Sequence, residues 1–225
     1  MLEIIAIEVT TIAQKCRILI DGDGNRAAKQ GVKPAVVVDP GGDIERIMAQ
    51  IRECKVNVNA ILLTHIHIDH CGGVAALKAA LQQEQGNVVP ILGSHELDHK
   101  AKDLLELQSE CFNIPLTGAF ENTYLSDGQQ LNFLPNYPLE VLLTPGHSPG
   151  SVCYYCPEAQ LMLAGDLLTH GGIWTRKQPG SNLDHLMASL KRLKQYPDAT
   201  KLLFGHGPDS TIGQEKECNP YLSAD

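Results

Sequence analysis

The chain is short of positive charge: 18 Lys and Arg stand against 26 Asp and Glu, for a formal net charge of -8. Such a field repels phosphate backbones and excludes general nucleic-acid binding through a basic surface. An anionic small substrate would need a local cationic patch. No window approaches the roughly 18 uninterrupted apolar residues of a membrane span, so no membrane partner is expected. The opening stretch, MLEIIAIEVTTIAQKC, lacks the basic start of a secretory signal, and Glu3 and Glu8 interrupt its apolar run. A paired cysteine framework is missing too. Seven cysteines, odd in number and scattered, suit reduced thiols in a cytoplasm. There is no tandem repeat and no Pro/Ser-rich linker. Residues 1–225 are therefore expected to form one cytoplasmic α/β domain, and the sequence leaves the oligomeric state open.

What is present is 43% hydrophobic residues arranged in short apolar runs. Alternation and β-branched residues predict strands over Leu2–Val9, Cys16–Ile20, Ala35–Asp39, Ala60–Thr64 and Val88–Leu92. Further strands are expected near residues 130–133 and 140–144, and over Val152–Cys156, Leu161–Ala164 and Lys201–Phe204. Helical periodicity predicts Ile44–Cys54, with Asp43 as its cap, then Val74–Gln83, Glu96–Glu110 and Leu183–Lys194. Sheets inside and helices outside are the simplest architecture for this order.

Four places share one pattern, an apolar strand that stops at a polar residue beside glycine. They are ILLTHIHIDHCGG, VLLTPGHSPGS, LMLAGDLL and KLLFGHGP. Loops beyond strand ends of an α/β sheet are where ligand sites collect. The residues delivered there are His65, His67, Asp69, His70, His147, Asp166 and His206. Five neutral imidazoles and two carboxylates match the ligand set of two divalent ions such as zinc, iron or manganese. His65 and His67, two apart in extended chain, lie on one face and can share an ion. Asp69 and His70 follow the turn and point towards a second. Gly72 and Gly73 then let a helix start whose N-terminal dipole favours the Asp69 carboxylate.

These motifs resemble those of the metallo-β-lactamase superfamily, in order and spacing, over nearly the whole chain. The resemblance implies an αββα sandwich, two mixed sheets flanked by helices, with metals at one edge. By position, it implies that His65, His67 and His147 hold the first metal and Asp69, His70 and His206 the second, with Asp166 bridging both. The closing segment GHGPDSTIGQEKECNPYL is similar to the glyoxalase II (hydroxyacylglutathione hydrolase) branch, in its short form. That branch implies hydrolysis of an acyl-glutathione thioester such as S-lactoylglutathione, with water activated between two cations and Asp69 orienting it. A thiolate leaves readily and needs little help from a general acid.

The chain departs from that branch after GDLLTHGG. Where a Gly-Arg-x-Asp element is usual, it reads IWTRKQPGSNLDH. The long C-terminal extension that supplies glutathione contacts in larger glyoxalase II enzymes is also missing. Arg176 and Lys177 are candidates for a cationic substrate patch, and Trp174, the single tryptophan, for a pocket wall. The same motif set also resembles an iron-dependent persulfide dioxygenase, with one iron on His65, His147 and Asp166. A lactonase and a non-catalytic metal-binding module are further readings. CYYC is expected to pack in a strand with Cys153 and Cys156 on opposite faces. His95 and His99 in SHELDHK are expected on a helix surface, and Cys71 in the core.

Overall fold

In the computed structural model, which describes residues 1–23, 32–174 and 178–223, the strands form two sheets. The first runs in the order β1 (Leu2–Val9), β2 (Gln14–Asp21), β3 (Lys33–Val38), β4 (Val56–Leu63), β5 (Ile91–Gly93). β1, β2 and β3 pair antiparallel, and β3, β4 and β5 parallel. The second sheet contains β6 (Gln130–Leu131), β7 (Leu139–Leu143), β8 (Val152–Cys156), β9 (Leu161–Gly165), β10 (Lys201–Phe204) and β11 (Ser210–Thr211), hydrogen-bonded in sequence order. All its pairs are antiparallel except β9 with β10. Both sheets are therefore mixed.

Each central strand is buried on both faces, and the period of two sorts its side chains into separate layers. In the first sheet, Ile18, Ile20, Val37, Ile61 and Leu63 face helices α1 (Ile44–Cys54) and α3 (Val74–Gln85). Leu19, Val36, Val38 and Leu62 face the second sheet and meet Val141, Tyr154 and Leu163. On the far side, Cys153, Met162 and Phe204 pack under α5 (Leu183–Leu193), α6 (Ile212–Cys218) and α7 (Pro220–Ser223). The result is the αββα sandwich. Cys153 and Cys156 fall in different layers, as alternation requires, and all seven cysteines are free thiols. Among the described residues no helix is long and apolar enough to cross a membrane.

Several expected elements shift for identifiable reasons. Asp43 stands at the α1 N-cap position with φ 50° and does not cap; its carboxylate accepts instead from Thr10 N at 2.9 Å. β5 begins only at Ile91, because Pro90 has no N–H to donate and Val88 is exposed. The segment expected as one helix from Glu96 splits into a 3₁₀ stretch, Glu96–Leu104, and α4 (Leu105–Phe112). Asp98 in the tight half is turned inward and only 1% exposed. The helix expected after Gly72 and Gly73 is preceded by a shorter one, α2 (Ile68–Cys71), and Asp69 lies in its first turn. Beyond β10, the sequence pattern foresaw neither β11 nor α6 and α7.

Candidate metal centre

The four glycine-flanked loops converge. β4, β7, β9 and β10 end at Leu63, Leu143, Gly165 and Phe204, and the candidate residues follow within a few positions. Two backbone bonds pin the sheets together at this edge: Val152 N donates to Thr64 O (2.9 Å) and Lys15 N to Gly205 O (2.8 Å). Glycine is required at 205 by close approach. A Cβ there would lie 2.2 Å from Asp166 Oδ1 and 2.7 Å from His70 Cε1.

The seven side chains form two overlapping groups. His67 Nδ1 lies 3.1 Å from His65 Nε2 and 3.0 Å from His147 Nε2. On the other side, Asp69 Oδ2 is 3.0 Å from His206 Nε2 and 3.4 Å from His70 Nε2. Asp166 stands between, with Oδ1 3.4 Å from His70 Nε2 and Oδ2 3.7 Å from His147 Nε2 and 3.8 Å from His206 Nε2. The donor atoms within the trios His65–His67–His147, His65–His70–Asp166 and Asp69–His70–His206 all lie within 4.8 Å of one another.

This arrangement fits divalent cations better than a closed hydrogen-bond network. One neutral His67 Nδ1 cannot satisfy two facing imidazole nitrogens, and His70 Nε2 and Asp166 Oδ1 are buried with no hydrogen-bond partner among the described residues. Burial, reinforced by neighbouring imidazoles, pushes His65 well below the ordinary histidine range, and burial takes His67 down to about 4. Burial likewise lowers His147. These rings are neutral at physiological pH, as metal ligands must be. Burial also opposes charge on His70, but Asp69, Asp166 and Asp39 outweigh it and raise that imidazole. Both carboxylates are held below their usual range, chiefly by His70 against the cost of burial.

Behind the donors sits Asp39, a carboxylate that the sequence pattern marks only as the end of a strand. Asp39, just past β3, accepts from Thr64 N (2.8 Å) and Thr64 Oγ1 (2.7 Å), and pairs with His70 Nδ1 (2.9 Å). Thr64 Oγ1 in turn meets His65 Nδ1 at 3.0 Å. Asp39 thereby orients one imidazole directly and another through Thr64, the arrangement expected behind metal-ligating histidines. The signal was available, since DPGG repeats the pattern of a strand stopping at a polar residue beside glycine.

Trp174 forms part of the wall over this group. Its ring centroid lies 5.1 Å from that of His206 and 6.4 Å from that of His147. With Ile12, Gln108 and Phe112 it lines a cavity of about 290 Å³ that reaches His67, Asp69 and Asp166. Its buried indole N–H has no partner among the described residues. Arg176 and Lys177, the expected cationic patch, lie outside the described residues. His95 and His99 make local bonds, to Leu97 N and Glu96 O, within the 3₁₀ segment. Cys71 is fully buried in the core layer shared with α3, and burial raises its thiol well above the ordinary range.

An αββα sandwich with two histidine–aspartate groups at one edge defines the metallo-hydrolase class. The chain belongs to the metallo-β-lactamase superfamily, whose family profile matches residues 30–206. It is 34% identical over 221 residues to the hydroxyacylglutathione hydrolase GloC of Haemophilus influenzae, covering 97% of each chain. It is 29% identical over 191 residues to a probable polyketide biosynthesis zinc-dependent hydrolase, BaeB, of Bacillus velezensis, covering 84% of this chain and 75% of that one. The crystal structure of TTHA1623 in a di-iron-bound form superposes with a TM-score of 0.82 at 32% identity, over 97% of this chain and 100% of that one.

Proposed function

We propose that residues 1–225 form one cytoplasmic domain that hydrolyses a thioester with two divalent cations, the leading substrate being an acyl-glutathione such as S-lactoylglutathione. His65, His67 and His147 would hold one cation and Asp69, His70 and His206 the other, with Asp166 available to both. The observation that carries this reading is the meeting of the two donor trios at Asp166, whose Oδ1 lies 3.4 Å from His70 Nε2 and whose Oδ2 lies 3.7 Å from His147 Nε2 and 3.8 Å from His206 Nε2. The names of the 34% identical Haemophilus influenzae relative and of the zinc-dependent Bacillus velezensis one support the substrate class and zinc. Iron and manganese suit the same donors.

The chemistry that such a pair supplies when bound is a water acidified from a pKa of 15.7 to about 7, and a Lewis acid for the carbonyl oxygen. The remaining tasks fall to this chain's own groups. Asp69, 8% exposed and steadied by His206, accepts the hydrogen bond of the attacking water and aims it. Asp39 holds His70 in place for its role as a donor. Trp174 covers the group as part of the pocket wall, while Arg176 and Lys177 supply the charge that a glutathione carboxylate requires.

Metal analysis of the purified protein, paired with an S-lactoylglutathione assay, tests this. Two ions per chain and thioester turnover that chelation abolishes and zinc restores are expected. One iron per chain with oxygen uptake on glutathione persulfide would replace the reading by a dioxygenase. Turnover of lactones alone would make the protein a lactonase. Metal-replete protein inert to thioester, lactone and persulfide would be a binding module.

A further inference from the structure

One buried carboxylate near the site has no part in the proposed ligation. Asp98 sits in the 3₁₀ stretch that follows β5, 1% exposed. Its Oδ2 accepts from Ile66 N (3.3 Å) and Ser148 Oγ (2.9 Å), and its Oδ1 accepts from Gly150 N. A charge buried this deeply must be fully bonded to be tolerated, and these bonds supply three donors.

The identity of those donors is what matters. Ile66 lies between His65 and His67, and Ser148 directly follows His147. All three bonds of Asp98 thus go to the loops of the His65–His67–His147 trio. His95, at the head of the same stretch, also holds the second of these loops, where its N donates to Gly150 O at 2.9 Å. The fit leaves no slack: a Cβ on Gly150 would come within 2.6 Å of Asp98 N and of His95 O. Asp39, by contrast, pairs with His70 directly and reaches His65 through Thr64.

We propose that Asp98 is a positioning residue for one half of the centre only. It joins the loop of β4 to the loop of β7 and fixes the spacing of His67 from His147. The affinity of the three-histidine half for its cation therefore depends on Asp98, and that of the Asp69–His70–His206 half does not. The inference rests on the two-cation reading above.

The test uses the full chain, freed of metal and titrated with zinc against a competing chelator, in the wild type, Asp98→Asn and Ser148→Ala. Asparagine keeps the shape but sets an NH₂ group against donors. Asp98→Asn is expected to weaken one binding step about 10- to 100-fold, the usual cost of losing an outer support of a metal ligand, and to leave the other step unchanged. Ser148→Ala, which removes one bond of three, is expected to weaken the same step by less. Histidine side-chain NMR assigns the steps. At one equivalent of zinc, His70 and His206 signals of Asp98→Asn should shift while those of His65, His67 and His147 stay at their metal-free positions. Two wild-type affinities in Asp98→Asn, or equal weakening of both steps, would overturn the inference. If Asp98→Asn does not fold, the one-sided loss must appear in Ser148→Ala, and its absence overturns the inference equally. A wild type that binds fewer than two ions would instead remove the two-cation reading beneath it.

Discussion

The candidate metal centre and the wall facing it are built in opposite ways. Six of the seven converging residues are at most 8% exposed, and His70 and His65 lean on Asp39 directly or through Thr64. The wall is looser. Ile12 is 41% exposed and Phe112 37%, and Trp174 is half-buried, its indole N–H without a partner among the described residues. The difference separates two demands on one cavity. Donors must hold their geometry closely, so they are fixed by packing and buried bonds. A wall needs only to fit a ligand and can sit on side chains that yield.

The sharpest way to break this contrast is at Asp166. Asp166→Asn keeps the volume but removes the charge of the one oxygen pair that faces both groups. Under the proposed two-cation hydrolysis, kcat/KM for the thioester should fall about 10³-fold, corresponding to several kcal/mol of lost charge stabilisation at 1.36 kcal/mol per decade. Metal content per chain, measured alongside, should drop as well. Retained activity with full metal content would show that Asp166 is packing, like the walls.

Next comes Asp39→Asn, which tests whether rigidity behind the donors counts. It weakens three bonds at once, to Thr64 N, Thr64 Oγ1 and His70 Nδ1. Because Thr64 passes the support on to His65, both zinc-binding steps should weaken, by about 10- to 100-fold in total affinity. Chelator competition reads this out. One step weakened alone would mean that the Thr64 relay carries nothing.

The same contrast explains what could be read in the sequence. His65, His67, Asp69 and His70 crowd one short stretch, and His147, Asp166 and His206 each follow an apolar run, so local pattern alone marks them. The layers were legible for a similar reason: runs such as Ala60–Leu63 and Leu161–Ala164 are buried on both faces and leave no polar residue to confuse the period. Asp98 was hidden because its value lies in partners 32, 50 and 52 positions away, and its surroundings in SHELDHK read as an exposed helix. The short elements α6 and α7 were missed because little periodicity fits in seven and four residues. Of the wall only Trp174, the single tryptophan, stood out in the sequence; Ile12 and Phe112 come from unrelated segments and carry no local signal.

Trp174→Ala probes the wall itself. Removing the indole should raise KM about tenfold, the order of a changed apolar contact in a pocket, with metal stoichiometry unaltered and kcat little changed. A fall in kcat with constant KM would place Trp174 among the reacting groups and dissolve the distinction between wall and centre.

The smallest effect is expected at Asn219, where the wall is tied to the body of the protein. Its fully buried Nδ2 donates to Gly172 O (3.0 Å) and Glu215 Oε2 (2.9 Å), and its Oδ1 accepts from Tyr221 N (3.1 Å). Glu215 Oε2 also accepts from Gly171 N at 2.9 Å. Asn219 and Glu215 thus fasten α6 and α7 to the turn that ends two residues before Trp174. Asn219→Ala leaves these groups short of a partner, a loss of about 1–3 kcal/mol that lowers the thermal midpoint. If the wall is positioned through this turn, KM should also rise, by less than in Trp174→Ala, with zinc affinities as in the wild type. A midpoint that falls while KM stays constant would mean that Trp174 keeps its place without the tie. The wall would then be anchored by its own contacts with His147 and His206, and the two regions would be less separate than their exposures suggest.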